Sequence, residues 1–168
     1  MWLIQTVKEC CRVDLGQNFD SLCRHLDTDK NGKVETLDEY RGLLFGDIFA
    51  PYGVNDRPYM EITDKDKLNK AAEDILSNYN RYNAEAPMNL VLFSFAIEHL
   101  LRIGRILKQP NGHAMLIGVG GSGRQSLTKL ATKTAEMQIY QIEIKKTYGM
   151  NEFREDIKKM MRGVGVKG

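Results

Sequence analysis

A glycine-rich stretch at residues 118–127, GVGGSGRQSL, has the composition of a loop that binds phosphate. Glycines let backbone N–H groups turn inward toward an anion, and the positive end of a following helix adds to the attraction. The alternative is a bare strand-to-helix turn that only happens to be rich in glycine. The residues predicted to contact a nucleotide are Gly118, Gly120, Gly121, Ser122, Gly123, Arg124, Gln125 and Ser126.

This loop departs from the usual Lys followed by Ser or Thr at two positions. Arg124 keeps the positive charge, but as a wide planar fork instead of a compact ammonium group. The Gln125 amide cannot replace the hydroxyl that ligands Mg²⁺, and Ser126 lies about 100° further around the helix. We therefore expect the loop to bind ATP or ADP, to hold Mg²⁺ poorly and to support little or no hydrolysis.

A second stretch at residues 27–38, DTDKNGKVETLD, has the spacing of an EF-hand calcium loop. Such a loop needs oxygen ligands at positions one, three and five, a glycine at six, a carbonyl at seven and a carboxylate at twelve. The carboxylate at twelve is shorter than the usual Glu and no second loop accompanies this one, so we expect only weak Ca²⁺ binding. The alternative is a polar turn between two helices. The predicted metal ligands are Asp27, Asp29, Asn31, Lys33 and Asp38.

The first third of the chain is predicted to be helical. Apolar residues at helical spacing indicate a helix that leads into the acidic loop; they are Phe19, Leu22, Cys23 and Leu26. Residues 46–59 contain two prolines and two glycines, which predicts an irregular connection. We place the domain boundary in this region, with a helical, lid-like segment over 1–60 and a nucleotide-binding segment over 61–168.

The second segment has the pattern of an α/β fold. Helices are predicted over 66–82 and 89–107, and another follows the glycine loop. Short apolar runs at 114–119 and 139–144 predict strands buried on both faces. Asn151 is the predicted N-cap of a last helix. This order of elements predicts a parallel sheet with helices packed on it.

Composition excludes several classes of protein. The chain is 42% hydrophobic and 27% charged, as in ordinary folded domains. The net charge is +2 without a basic cluster, so we expect no nucleic-acid partner. The longest apolar run, residues 90–97, is well below the roughly 18 residues of a membrane span, so we expect no membrane partner. Three cysteines without metal-site spacing are predicted to be free thiols in a reducing compartment.

Resemblance to a known family is carried by the run MNLVLFSFAIEHLLRIGRILKQPNGHAMLIGVGGSGRQSLTKLA, followed by QIEI and YGMNEFREDIKK. These residues resemble the fourth AAA+ module of axonemal dynein heavy chains, whose phosphate loop has the same Gly-Arg-Gln-Ser sequence. The resemblance covers roughly residues 70–162. The preceding part, with LLFGDI and YMEI, is similar to the end of the third module, its helical lid and the connection into the fourth.

The resemblance implies a partial P-loop AAA+ module, with a parallel sheet and helices, preceded by an all-helical EF-hand-like or lid segment. In that family the fourth module binds nucleotide and modulates the ring, the first module performs the main ATP hydrolysis, and the segment matching Leu90 to Phe93 lies against adenine. No Walker B strand, catalytic base or arginine finger can be assigned here.

The implied partners are the remaining AAA+ modules of the same heavy chain, other dynein chains and microtubules. The implied location is the cytoplasm, the cytoskeleton and the axoneme of the cilium. Two alternatives stay open at this point. One is a calcium-responsive helical module with an incidental glycine loop, and the other is a small stand-alone NTPase or kinase.

Overall fold

The structure is a computed structural model that describes residues 2–54 and 56–167, and it divides into two compact units. The first unit covers residues 1–136 and the second residues 137–168. The second unit contains α7 (Met150–Lys167). The elements of the first unit are α1 (Trp2–Asp14), α2 (Phe19–Leu22), a 3-10 helix (Arg24–Leu26), α3 (Leu37–Tyr40), β1 (Phe45–Gly46), β2 (Met60–Glu61), α4 (Lys65–Tyr82), α5 (Ser94–Leu107) and α6 (Arg124–Thr134).

The main core of the first unit lies between α4, α5 and α6. Apolar residues recur at helical spacing on each helix, so each presents one stripe to the others. The stripe of α6 is the most completely buried, with Leu130 and Ala131 at 0% exposure. Burying a side chain the size of leucine contributes about 1.5–3 kcal/mol. The buried apolar residues of these helices are Leu68, Ala72, Ile75, Ala96, Ile97, Leu100, Ile103, Leu127, Leu130 and Ala131.

A smaller core forms around the acidic loop. The Phe19 ring stacks on the Tyr40 ring with 5.2 Å between centroids. Helix α1 packs beside this core, and Lys8 Nζ contacts Asp20 Oδ1 at 2.7 Å. The same carboxylate oxygen accepts a hydrogen bond from the Val34 N–H at 2.9 Å. Asp20 therefore joins α1, α2 and the acidic loop.

Most of the predicted helices are confirmed, with changes at their ends. Helices α4 and α6 lie where the periodicity predicts them, and residues 47–54 and 56–59 form the predicted irregular connection. The helix predicted over 89–107 begins only at Ser94. Asn80 Oδ1 accepts from the Met88 N–H at 2.7 Å and Asn80 Nδ2 donates to the Met88 carbonyl at 3.1 Å, so the residue before this stretch is attached to α4.

Two further predictions about helices need correction. The stripe from Phe19 to Leu26 is not one helix, because it is interrupted at Cys23 and continues as the 3-10 helix. The prediction of Asn151 as an N-cap is wrong, because α7 already includes Met150. The Glu152 carboxylate instead accepts a hydrogen bond from the Gly149 N–H at 2.9 Å, which satisfies a donor at this helix end.

The predicted parallel sheet is not confirmed. Among the described residues, the one sheet is antiparallel, and it pairs Phe45 with Glu61 and Gly46 with Met60. Neither 114–119 nor 139–144 is a strand, and Met115 and Ile117 are 88% and 83% exposed. A strand exists only where a second segment accepts and donates its hydrogen bonds, and this requirement is not visible in an apolar run. Within the described ranges, each helix is too short or too polar to cross a lipid bilayer.

Replacing Leu130 by alanine tests the main core. The change removes most of a fully buried side chain and should lower the free energy of unfolding by about 2–5 kcal/mol, the usual cost of a cavity in a core. Denaturant titration followed by circular dichroism measures this loss. The matched control is Leu3→Ala on α1, where Leu3 is 61% exposed, and its effect should stay within about 0.5 kcal/mol. Equal losses for the two variants would contradict the described packing of α6.

Candidate functional site

The glycine loop runs directly into the N-terminus of α6. Gly123 is the N-cap residue, with φ 74° and ψ 7°, and Gly121 has φ 77°. This left-handed region favours glycine, because a Cβ atom would crowd the backbone there. The local sequence therefore determines the path of the loop into the helix.

Several backbone donors at this turn have no protein acceptor. The first main-chain bond of α6 runs from the Leu127 N–H to the Gly123 carbonyl, at 2.8 Å. In the part of the chain that the structure describes, no acceptor is recorded for the N–H groups of Gly120, Gly121, Gly123, Arg124, Gln125 and Ser126. These donors lie at the positive end of the helix dipole, equivalent to about half a unit charge. The arrangement suits an anion such as a phosphate group.

Close packing shapes the two ends of this loop. A Cβ atom built on Gly118 would lie 2.8 Å from Ser122 Oγ, so a larger residue would displace the serine. One built on Gly123 would lie 3.4 Å from Leu90 Cδ1. Leu90, which the family resemblance assigns to the adenine side, therefore lies beside the loop, while Val91 and Phe93 are exposed.

The two unusual residues of the loop take different positions. Arg124 is half-buried, and its Nη2 donates to the Val119 carbonyl at 3.2 Å. Its charge therefore stays beside the loop, but the guanidinium folds back onto the chain. Gln125 is exposed and Ser126 is half-buried. The loop combines unpaired amides with a nearby cation, and its Gln125 offers no hydroxyl for a metal.

The acidic loop uses its polar side chains to build its own turns. Asp27 accepts from the Gly32 N–H at 2.8 Å and from the Asn31 N–H at 3.1 Å. Asp29 accepts from the same Asn31 N–H at 3.1 Å, and Asn31 Oδ1 accepts from the Lys33 N–H at 2.7 Å. The alternative of a polar turn therefore accounts for these residue types without a metal.

Asp38, the predicted closing ligand of the acidic loop, lies apart from the other carboxylates of the loop. The Asp38 side chain is 87% exposed and pairs with Arg41 at 3.0 Å. The carboxylate oxygens of Asp27 and Asp29 lie instead within 4.8 Å of one another and of a Glu39 carboxylate oxygen. The sequence did contain a signal for this, because a Glu followed by an aromatic residue ends the usual loop and Glu39 precedes Tyr40.

Glu39 has a structural role as well. Thr36 is the N-cap of α3 and forms a capping box with Glu39. Glu39 Oε2 accepts from the Thr36 N–H at 2.9 Å, from the Thr36 hydroxyl at 2.8 Å and from the Glu35 N–H at 3.0 Å. These hydrogen bonds lower the pKa of the Glu39 carboxyl, those from Thr36 more than the one from Glu35.

Comparison with known proteins defines the class of this site. The family model described as "P-loop containing dynein motor region D4" matches residues 88–168, a range that includes α5, the glycine loop and α6. The part of the chain that carries the glycine loop is therefore similar to the P-loop region of a dynein motor.

Individual relatives identify the group of dyneins to which the chain is similar. The chain is 48% identical to dynein axonemal heavy chain 12 of Mus musculus over 159 residues, 94% of this chain. It is 45% identical to dynein axonemal heavy chain 3 of Homo sapiens over 160 residues, 95% of this chain. It spans only 5% and 4% of the lengths of these two relatives. The chain belongs to the axonemal dynein heavy chain family, as its sequence resemblance predicts.

The capping box predicts a specific pH dependence of stability. Because the pKa of Glu39 is lowered in the folded state, its contribution is complete above the ordinary pKa of a glutamate. The contribution is lost as the pH falls through the lower, folded value. As the pH falls from about 7 to 3, the free energy of unfolding measured with denaturant should therefore decrease less for Glu39→Gln than for the unsubstituted chain.

Thr36→Ser keeps the hydroxyl donor and is the matched control, so its pH dependence should equal that of the unsubstituted chain. A Glu39→Gln variant that loses stability in parallel with the unsubstituted chain on acidification would contradict this role.

Proposed function

We propose that this chain is a nucleotide-binding part of an axonemal dynein heavy chain, whose degenerate phosphate loop binds ATP or ADP in a regulatory role. The observation that carries the proposal is the set of unpaired N–H groups at the start of α6, next to the left-handed glycines Gly121 and Gly123. Hydrogen bonds to a charged group contribute about 1.5–3 kcal/mol each. Several such bonds are sufficient to hold a diphosphate.

The same loop is poorly equipped for hydrolysis. Phosphoryl transfer depends on a metal ion and a well-placed cation that stabilise the charge of the transition state. Gln125 lacks the hydroxyl that ligands Mg²⁺, and the Arg124 guanidinium donates to the Val119 carbonyl. Loss of one such electrostatic group costs about 10²–10³ in rate, whereas binding through backbone amides is unaffected. Binding without strong turnover is a property of a regulatory site.

The wider context of the proposal comes from the relatives and the family resemblance. Both relatives named above are axonemal heavy chains, so we assign this chain to a microtubule motor of the ciliary axoneme. Its partners would be the other AAA+ modules of the same heavy chain, other dynein chains and microtubules. We assign residues 1–60 to the end of the third module and 61–168 to the start of the fourth.

The parallel sheet remains part of this proposal. Met115, Ile117 and Val119 expose large apolar side chains in the first unit. In an AAA+ module such residues are covered by neighbouring strands of the sheet. The relatives are far longer than this chain, and we propose that their additional segments include those strands.

Nucleotide titration tests the proposed function. Calorimetry on the folded chain should give a saturable heat with ADP and with ATP at micromolar concentrations, and chelating Mg²⁺ should change it little. Gly121→Ala should weaken ADP binding about tenfold, because it strains the left-handed turn by about 1–2 kcal/mol.

The matched control is Gly16→Ala. Gly16 has φ 64° and, like Gly121, has open space around its Cβ position, but it lies outside the loop. The control should bind ADP like the unsubstituted chain. A folded chain that gives no heat with either nucleotide would disprove the proposal.

A second candidate concerns the acidic loop alone. The convergence of three carboxylates from Asp27, Asp29 and Glu39 favours weak Ca²⁺ binding there. The comparisons give no support to a calcium-responsive module as the function of the whole chain.

Addition of millimolar Ca²⁺ should move the amide resonance of Gly32, whose N–H is bonded to Asp27. Glu39→Gln should abolish that shift, whereas Asp38→Asn should retain it. An unmoved Gly32 resonance would exclude calcium binding and leave the loop a polar turn.

A further inference from the structure

An ionic cluster joins the connection between β1 and β2 to the far ends of α5 and α6. We call it the clasp and define it as Asp47, Arg57, Lys108 and Glu136. Asp47 and Arg57 lie in the connection, Lys108 is the C-cap of α5, and Glu136 follows α6. We propose that the clasp is a positioning device that couples this connection to the nucleotide loop through α6. The inference rests on the proposed nucleotide-binding function.

Arg57 is the centre of the clasp. Its side chain is only 10% exposed, and Nε contacts Asp47 Oδ2 at 3.2 Å. Nη1 donates to the Thr134 carbonyl at 2.6 Å and contacts Glu136 Oε1 at 3.3 Å. Nη2 donates to the Ala50 carbonyl at 3.1 Å. The planar fork of a guanidinium can serve all of these acceptors at once, whereas a lysine could not.

Lys108 and Glu136 attach the connection to the C-terminal ends of α5 and α6. Lys108 pairs with the same Asp47 carboxylate, which ties the end of α5 to the connection. Glu136 has φ 57°, and both of its carboxylate oxygens accept from the Gly53 N–H at 3.0 Å. Its negative charge lies near the negative end of the α6 dipole, which is unfavourable without a cation. The Arg57 guanidinium supplies that cation.

Helix α6 connects the clasp with the nucleotide loop. It contains 11 residues, so its two ends lie about 16 Å apart. Leu127, Leu130 and Ala131 hold its buried face within the core, and a close-packed interior transmits strain from one end of the helix to the other. Displacing its C-terminus therefore displaces the unpaired amides at its N-terminus. The proposed coupling is reciprocal by linkage, so nucleotide binding at one end of α6 should stabilise the contacts of the clasp at the other.

The low exposure of Arg57 distinguishes it from the surface ion pairs of the chain. The pair between Arg41 and Asp38 has side chains that are mostly exposed, and such pairs have little effect on structure. Arg41→Gln is therefore the matched control for Arg57→Gln, since both remove one guanidinium that pairs with an aspartate.

The first experiment measures coupling in both directions on the full chain. Arg57→Gln should raise the dissociation constant for ADP at least about fivefold, the lower end of typical coupling between sites, and Arg41→Gln should not. In the unsubstituted chain, ADP should slow exchange of the Gly53 amide at least about fivefold. If ADP binds but Gly53 exchange and the affinity of Arg57→Gln are both unchanged, the coupling is disproved.

A second measurement separates this inference from the proposed function. Without nucleotide, Arg57→Gln should shift the amide resonances of Gly121 and Gly123, while Arg41→Gln leaves them in place. If the unsubstituted chain binds no ADP, the proposed nucleotide binding is disproved. The shift of the Gly121 and Gly123 resonances then tests by itself whether the clasp is coupled to the loop. If Arg57→Gln does not fold, Glu136→Gln is used in its place. The new side-chain amide keeps an acceptor for the Gly53 N–H, and the substitution removes the negative charge beside Arg57. Unmoved loop resonances in the folded variant would disprove the clasp.

Discussion

The burial of one face of α6 is the constraint on which the rest of the first unit depends. Leu130 and Ala131 are completely buried in the core that α6 shares with α4 and α5. This packing fixes the helix while its first N–H groups remain without acceptors. Unpaired donors at a mobile helix end would bind water and be of little use to a ligand. Held in place by a core, they are preorganised donors of the kind that the proposed anion site requires.

The two ends of α6 have opposite chemistry. At its N-terminus, glycines in left-handed conformations leave room for an anionic ligand. At its C-terminus, Arg57 donates to the carbonyl of Thr134 and neutralises Glu136. A cation at the negative end of the helix and an anion at its positive end both follow the direction of the helix dipole. The region predicted from sequence as an irregular connection is therefore attached to the helix that follows the glycine loop.

The acidic loop illustrates how one set of residues can satisfy two different requirements. Asp27, Asp29 and Asn31 are the types that bind calcium, but the same oxygens also accept backbone N–H groups in tight turns. Glu39 is likewise occupied by the capping box of α3. A spacing match alone does not separate the two roles, because both need short side chains with oxygen atoms close to the main chain.

The amino-acid sequence by itself determined the features that depend on near neighbours. These are the amphipathic helices α4 and α6, the path of the glycine loop and the resemblance to axonemal dynein heavy chains. Helical spacing and glycine conformation act over a few residues, so they are visible in the sequence.

Only the tertiary structure decided which distant groups meet. Arg57 reaches a carbonyl 77 residues away, and Gly53 reaches a carboxylate 83 residues away. The apolar runs at 114–119 and 139–144 were predicted as strands, but pairing depends on a partner segment that no local pattern specifies. Glu39, and not its neighbour Asp38, lies beside Asp27 and Asp29, because α3 directs one side chain inward and the other to solvent. Contacts of this kind follow from how the chain folds back on itself, and a sequence read residue by residue does not contain them.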